Sequence, residues 1–312
     1  PDTAGIEHVS FASITPLGPL TISRKLEAGK QHVTVTADLY LPKAAAQPMP
    51  AMLVMHGSGG MKYDGADMQA WAARLNAWGV AALVIDSFAP RGVSETYTNQ
   101  ASLSEWANVA DAFEGLIFLA RDARFDRARI GVMGFSRGGQ VAAWTALESL
   151  RRGLIDDDLH FAVHIPFYAY CGTTYLDRAT DKAPLLFLHG EADNYTPIAP
   201  CREYADWFRA MGNPVTFVGY PHAYHDFDRP SGSVTYDARA EVFADCDVRY
   251  DIPEGRYLRV DHRDHPTQDR AAVAAYFKSC RKHGANVGPD PAARDAAIAA
   301  VHAFLVANLH AR

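Results

Sequence analysis

Three side chains able to carry nucleophilic catalysis occur in the order serine, aspartate, histidine. They are Ser136 in GVMGFSRGGQVAAW, Asp193 in HGEADNYTP and His225 in PHAYHDFD. A serine hydroxyl attacks a carbonyl only when a neighbouring imidazole takes its proton. The imidazole in turn needs a carboxylate to fix its tautomer and to stabilise its charged form. Gly134 and Gly138 flank Ser136 two residues away on either side. In a sharp strand-to-helix reversal those positions come too close to other backbone for a β-carbon, so the serine oxygen is held out on a strained turn. A plain glycine-rich turn shares these letters, and the surrounding elements must decide.

Acyl transfer also needs donors for the developing oxyanion. His56-Gly57-Ser58-Gly59-Gly60 is a flexible turn that can aim the backbone N–H of Ser58 or Gly59 at a substrate oxygen, with the N–H of Arg137 as the second donor. A connection without function is the competing reading. Rivals to the acid and base are Glu191 and His222. Asp226 and Asp228 lie too near His225 in sequence to buttress its far nitrogen comfortably.

The elements that must position these groups follow a βα rhythm. Apolar runs predict strands at 51–57, 80–86, 129–135, 160–168, 184–189 and 214–220, and helical periodicity predicts 66–78, 103–123, 137–150, 198–211 and 290–309. Residues 19–27 and 32–41 alternate as strands and are expected to pair across Ala28-Gly29-Lys30. Near-continuous apolar strands alternating with helices make a mostly parallel sheet covered on both faces. Ser136, Asp193, His225 and the 56–60 turn then all fall at carboxyl ends of strands, where such sheets collect functional groups. Residues 1–312 read as one domain, interrupted at about 229–289 by a polar insertion that caps the site or merely covers the last helix. Within it, two strands flank Pro253-Glu254-Gly255, and a helix ends at Gly284.

Of 312 residues, 48% are hydrophobic and 21% charged, with a net charge of −6 and no long basic run. Nucleic acid and anionic membranes are poor partners for such a chain, and no apolar stretch reads as a membrane span. The chain opens on Pro1 with no signal peptide, which fits either a removed leader or a trimmed terminus. Cys171, Cys201, Cys246 and Cys280 are even in number without a CxxC pair, which favours two disulfides and a periplasmic or secreted protein over a cytoplasmic one. Cys171–Cys201 would brace the acid loop, and Cys246–Cys280 would clamp the insertion.

His262 and His265, with Asp261 and Asp264, lack the spacing of metal ligands, so no metal is assigned. Tyr168, Tyr170, Tyr195 and Tyr224 fall at strand ends and could line an aromatic substrate pocket or simply cover sheet edges. Arg91 could bind a substrate carboxylate, or tie its loop to Asp86 or to backbone carbonyls.

In order, HGSGG, DSFAPRG, RIGVMGFSRGG, HGEAD and YPHAYHDFD resemble the dienelactone hydrolase family of α/β-hydrolases, from about residue 30 to 228 and again in the last helix. The resemblance implies an α/β-hydrolase fold with an eight-stranded sheet and flanking helices. It further implies activity on carboxylic esters and lactones without a cofactor, with Ser136 as nucleophile, Asp193 as acid and His225 as base. Dienelactone hydrolases carry cysteine at the elbow, and Ser136 in its place points toward a general esterase. The expected partner is a small-molecule ester; oligomeric state is open. A peptidase or amidase could use the same three groups, and a non-catalytic binding module is the alternative outside enzymes.

Overall fold

The structure, a computed structural model, describes residues 5–43 and 46–311. Strands β1 (Ile6–Pro16) and β2 (Lys30–Tyr40) pair antiparallel from Ile6 opposite Tyr40 to Pro16 opposite Lys30. The strand expected at 19–27 is not formed. Pro19–Ser23 is instead the short helix α1, opened by a proline whose fixed φ and missing N–H suit the first helical position.

The chain continues through β3 (Met49–Met55), α2 (Gly60–Ala77), β4 (Ala81–Asp86), α3 (Glu105–Ala120) and β5 (Phe125–Phe135). The helix expected at 137–150 is two helices, α4 (Arg137–Trp144) and α5 (Glu148–Leu154). Asp177 causes the restart by accepting from the Ser149 N–H and hydroxyl at the start of α5. Then come β6 (His164–Phe167), β7 (Thr173–Leu176), β8 (Leu185–Gly190), α6 (Ile198–Ala210) and β9 (Val215–Tyr220).

Eight strands form the main sheet in the order β1-β2-β4-β3-β5-β6-β8-β9, parallel from β4 onward and antiparallel only at β1/β2 and β2/β4. Strand parity sorts the core. Ala51, Leu53 and Met55 of β3 face the cluster built on α3, α4 and α6, whereas Met52 and Val54 face the one built on α2 and the C-terminal helix. This is an α/β-hydrolase fold, with helices on both faces of the sheet.

Residues 229–289 contribute no strand to that sheet. They hold β10 (Thr235–Val242), β11 (Val248–Asp251), β12 (Arg256–Val260), β13 (Arg263–Thr267), α7 (Arg270–Cys280) and β14 (Lys282–Val287). The helix stops at Cys280 and not at Gly284, because 282–287 pair with β10 as a strand. β11 and β12 form the hairpin about 253–255, and β11 also pairs parallel with β7, tying the segment to the chain between β6 and β8. Disulfides join Cys171 to Cys201 and Cys246 to Cys280. The final helix, α8 (Pro291–Leu309), is apolar and long enough to cross a membrane, yet buries Ala293, Ala297, Val301, Leu305 and Leu309 against the sheet.

Candidate active site

Ser136 sits between β5 and α4 with φ 54 and ψ −113, a backbone state that costs a non-glycine residue about 1–3 kcal/mol. The neighbouring glycines are sterically required. A β-carbon on Gly134 would lie 2.1 Å from the Gly138 carbonyl oxygen, and one on Gly138 would lie 2.2 Å from that of Met55.

His225 Nε2 is 2.9 Å from Ser136 Oγ, and its Nδ1 is 2.7 Å from Asp193 Oδ2. The other oxygen of Asp193 accepts the backbone N–H groups of Tyr195 and Thr196, each at 2.8 Å. Burial works against the charged forms of both partners. Their mutual attraction and hydrogen bond outweigh it, raising the His225 pKa and lowering that of Asp193.

Several residues around the base carry roles that motif reading does not assign. Thr196 Oγ1 lies 3.0 Å from His225 Nδ1, 2.9 Å from Asp193 Oδ2 and 3.0 Å from the Tyr168 carbonyl oxygen. The imidazole is flanked by the rings of Tyr168 and Tyr195, both 4.7 Å away between centroids. Tyr168 is fixed by donating its hydroxyl to Asp228, which also accepts the Trp71 indole N–H. The backbone of His225 is gripped from the far end of the 229–289 segment: it bridges to Val287, and Gly288 N–H donates to its carbonyl. Only the Tyr-rich composition of the strand ends hinted at any of this.

The 57–60 loop lies against the elbow, with the β-carbon position of Gly57 3.3 Å from Ser136 Cβ. Among the described residues, the backbone N–H groups of Ser58, Gly59 and Arg137 donate no hydrogen bond within the protein. A β-carbon at Gly59 would lie 2.2 Å from Asp64 Oδ1, so a larger residue there requires the Asp64 carboxylate to shift. Burial and the nearby Asp226 charge push that carboxyl up to about 7.

Other candidates fall elsewhere. Arg91 does not reach the cavities beside Ser136. It forms a two-pronged pair with the buried Asp111 at 2.7 and 2.8 Å and donates to the Ser87 and Ile14 carbonyls and to Thr15. Its anchor is therefore Asp111 and not Asp86. Tyr224 is absent from the walls of both cavities. Glu191 is exposed and pairs with Arg202, and His222 is exposed in a left-handed conformation. His262 pairs with Asp247, and Asp264 with Arg259. The Arg137 side chain is buried and spends its donors on Asn108, Gln100 and the Leu103 carbonyl.

Two cavities meet at Ser136. One, of about 420 Å³, runs between α3, α4 and the 229–289 segment and includes Trp106, Trp144, Phe243 and Phe277. The other, of about 230 Å³, includes His225, Asp64, Asp67, Asp226 and Arg229. The arrangement offers a deprotonatable hydroxyl, a base with its carboxylate, unused backbone donors and room for a substrate on either side.

The model described as the Dienelactone hydrolase family matches residues 35–248. A protein of Methylorubrum extorquens named for carboxymethylenebutenolidase activity is 29% identical over 60% of this chain and 67% of its own length. Among solved structures, Thermogutta terrifontis esterase 2 superposes with a TM-score of 0.53 at 19% identity, covering 75% of this chain and 89% of the esterase. A Klebsiella pneumoniae structure named for dienelactone hydrolase gives 0.51 at 18% identity, covering 74% and 92%.

Proposed function

From the chain's membership of the dienelactone hydrolase family, which makes it a carboxylic ester hydrolase, we propose that it cleaves esters or lactones through Ser136, His225 and Asp193 by way of an acyl-enzyme. The continuous relay from Ser136 Oγ through His225 to Asp193, with links of 2.9 and 2.7 Å, is the observation that carries this reading. His225 takes the serine proton as the hydroxyl attacks the acyl carbon, and Asp193 stabilises the imidazolium that results. The tetrahedral oxyanion is met by the backbone N–H of Arg137 and by that of Ser58 or Gly59. His225 then protonates the departing alcohol, and a water it activates releases the acid.

Residues 229–289 act in this scheme as a cap within a single domain. Glu241, Phe243 and Phe277 wall the larger cavity, and Arg229, Asp237 and Arg239 wall the smaller. The two disulfides support an exported location.

The decisive variant is Ser136→Ala. It should fold normally, lose labelling by a fluorophosphonate and lose at least about a thousandfold in kcat on p-nitrophenyl esters. Turnover within tenfold of wild type would overturn the scheme. A matched series of p-nitrophenyl esters and anilides tests ester against amide hydrolysis.

A further inference from the structure

The two cavities at Ser136 are not equivalent with respect to the base. In ester cleavage the leaving oxygen must reach His225 Nε2, since that atom returns the proton. His225 lines only the smaller, carboxylate-bearing cavity. The alcohol therefore departs on that side, and the acyl group occupies the larger cavity, which Ser136 lines and His225 does not. This assignment rests on the Ser136 mechanism proposed above.

The acyl side has a distinct chemistry. Trp106 and Trp144 stack at 5.0 Å, and Tyr175 stands edge-on to both at 4.7 and 4.9 Å, so this wall is a rigid aromatic corner. Phe243 and Phe277, edge to face at 6.1 Å, come from the 229–289 segment to complete the enclosure. Planar groups suit such walls, and a short acyl chain would leave most of the roughly 420 Å³ unfilled.

Polar side chains interrupt this surface, Gln140 among them. Gln140 is 7% exposed and lines the cavity, yet its amide makes no hydrogen bond among the described residues. It stands one helical turn beyond the nucleophile, its backbone N–H donating to the Ser136 carbonyl. Water can serve the amide when the cavity is free. An acyl group that displaces the water must replace its bonds or leave a buried amide unpaired. Glu105, also on the cavity wall, lies in the field of the buried Arg137 that lines the same cavity, and Glu241 there is paired with Arg281, so the wall holds no unbalanced positive charge for an anionic acyl group.

We propose that the acyl group taken by this site is a neutral arylalkanoyl group with a hydrogen-bonding oxygen on its ring, the ring held by the aromatic walls and the oxygen by Gln140. Gln140 is then a specificity-determining residue, acting on which ester is cleaved.

The test compares kcat/KM for methyl hydroxyphenylpropanoate, methyl phenylpropanoate and methyl butanoate in wild type and Gln140→Leu. In wild type both aryl esters should exceed the butanoate by about tenfold or more, and the ring hydroxyl should add a further factor of about ten. In Gln140→Leu the hydroxyl gain should fall to near one while the preference for aryl over butanoate persists. A butanoate preference in wild type, or a hydroxyl gain that survives Gln140→Leu, overturns the proposal. Should Gln140→Leu fail to fold, Phe277→Ala takes its place: the ratio of aryl ester to butanoate should fall, and an unchanged ratio overturns the proposal. Fluorophosphonate labelling of Ser136 and turnover of p-nitrophenyl acetate are measured on the same wild-type protein. Loss of both sinks the mechanism along with this inference; flat ratios with both intact sink this inference alone.

Discussion

At Ser136 the constraint is mostly local, with Met55 and Phe167 the distant contributors. The residue's left-handed backbone, the two glycines beside it and the first turn of α4 lie within a few positions of one another. His225 depends on distant chain. Its ring is held between Tyr168 and Tyr195, its Nδ1 by Asp193 and Thr196, and its backbone by Val287 and Gly288, 62 and 63 residues downstream. A nucleophile can be built from a turn because backbone sterics aim a short side chain. A base must be fixed at both ring nitrogens and in the plane of its ring, which takes partners from several elements.

That contrast can be broken first at the acid. Asp193→Asn should lower kcat by about three to four orders of magnitude by disturbing the tautomer of the base. It should also shift the pH profile. In wild type the base must be neutral, so kcat/KM rises with pH through a His225 pKa held above the ordinary histidine value. Once the Asp193 charge is removed, burial and Arg229 act against the remaining Asp226 charge, so the rising limb should move to lower pH. The sign for stability follows the same pair. What His225 contributes is present below its unfolded pKa and lost as pH rises through the folded one; what Asp193 contributes is present above its unfolded pKa and lost as pH falls. A silent Asp193→Asn would overturn the relay, since Glu191 is exposed and paired with Arg202.

The elbow can be challenged without touching any reacting group. Gly138→Ala puts a methyl 2.2 Å from the Met55 carbonyl oxygen, and chemical denaturation should show a loss of about 4 kcal/mol. Near-wild-type stability would mean that the turn is less tightly determined than its geometry implies. On the other side, replacing Cys246 and Cys280 together by alanine opens a crosslink spanning 34 residues. The cost should be about 4 kcal/mol in the chain-entropy model, with a rise in KM for bulky acyl esters as Phe243 and Phe277 loosen. Unchanged KM in a destabilised protein would separate the crosslink from the cavity.

The smallest effect concerns the loop between the two regions. Asp64 is raised to about 7 by burial and by Asp226, so wild type loses stability as pH rises through that value. Asp64→Asn should gain about 2–3 kcal/mol relative to wild type between about pH 5 and about pH 8, read from paired thermal melts. A pH-independent difference would refute the raised carboxyl.

Legibility followed the same division between near and far. Hydrophobic period and glycine spacing place Ser136, Asp193 and His225 at strand ends, because those signals are carried by adjacent residues. Thr196 and Tyr168 have ordinary sequence surroundings, and their positions against His225 arise only when β6, β8 and β9 lie side by side. Arg91 met Asp111 across α3, a pairing no local pattern announces. The β7·β11 ladder joins segments more than seventy residues apart, and α1 was misread because Leu20 and Ile22 alternate as they would in a strand. The uneven burial of β1 likewise hid the strand that took its place.

The return of the chain to His225 at Val287 and Gly288 means that residues 226–286 begin and end at nearly one point. A loop closed at its base can be lengthened or shortened with little thermodynamic consequence, about 0.6 kcal/mol for each doubling. Stretches of the segment outside β11, which pairs with β7, and outside Asp228, which holds Tyr168, can therefore be remodelled, altering what the cavities admit while the imidazole keeps its place.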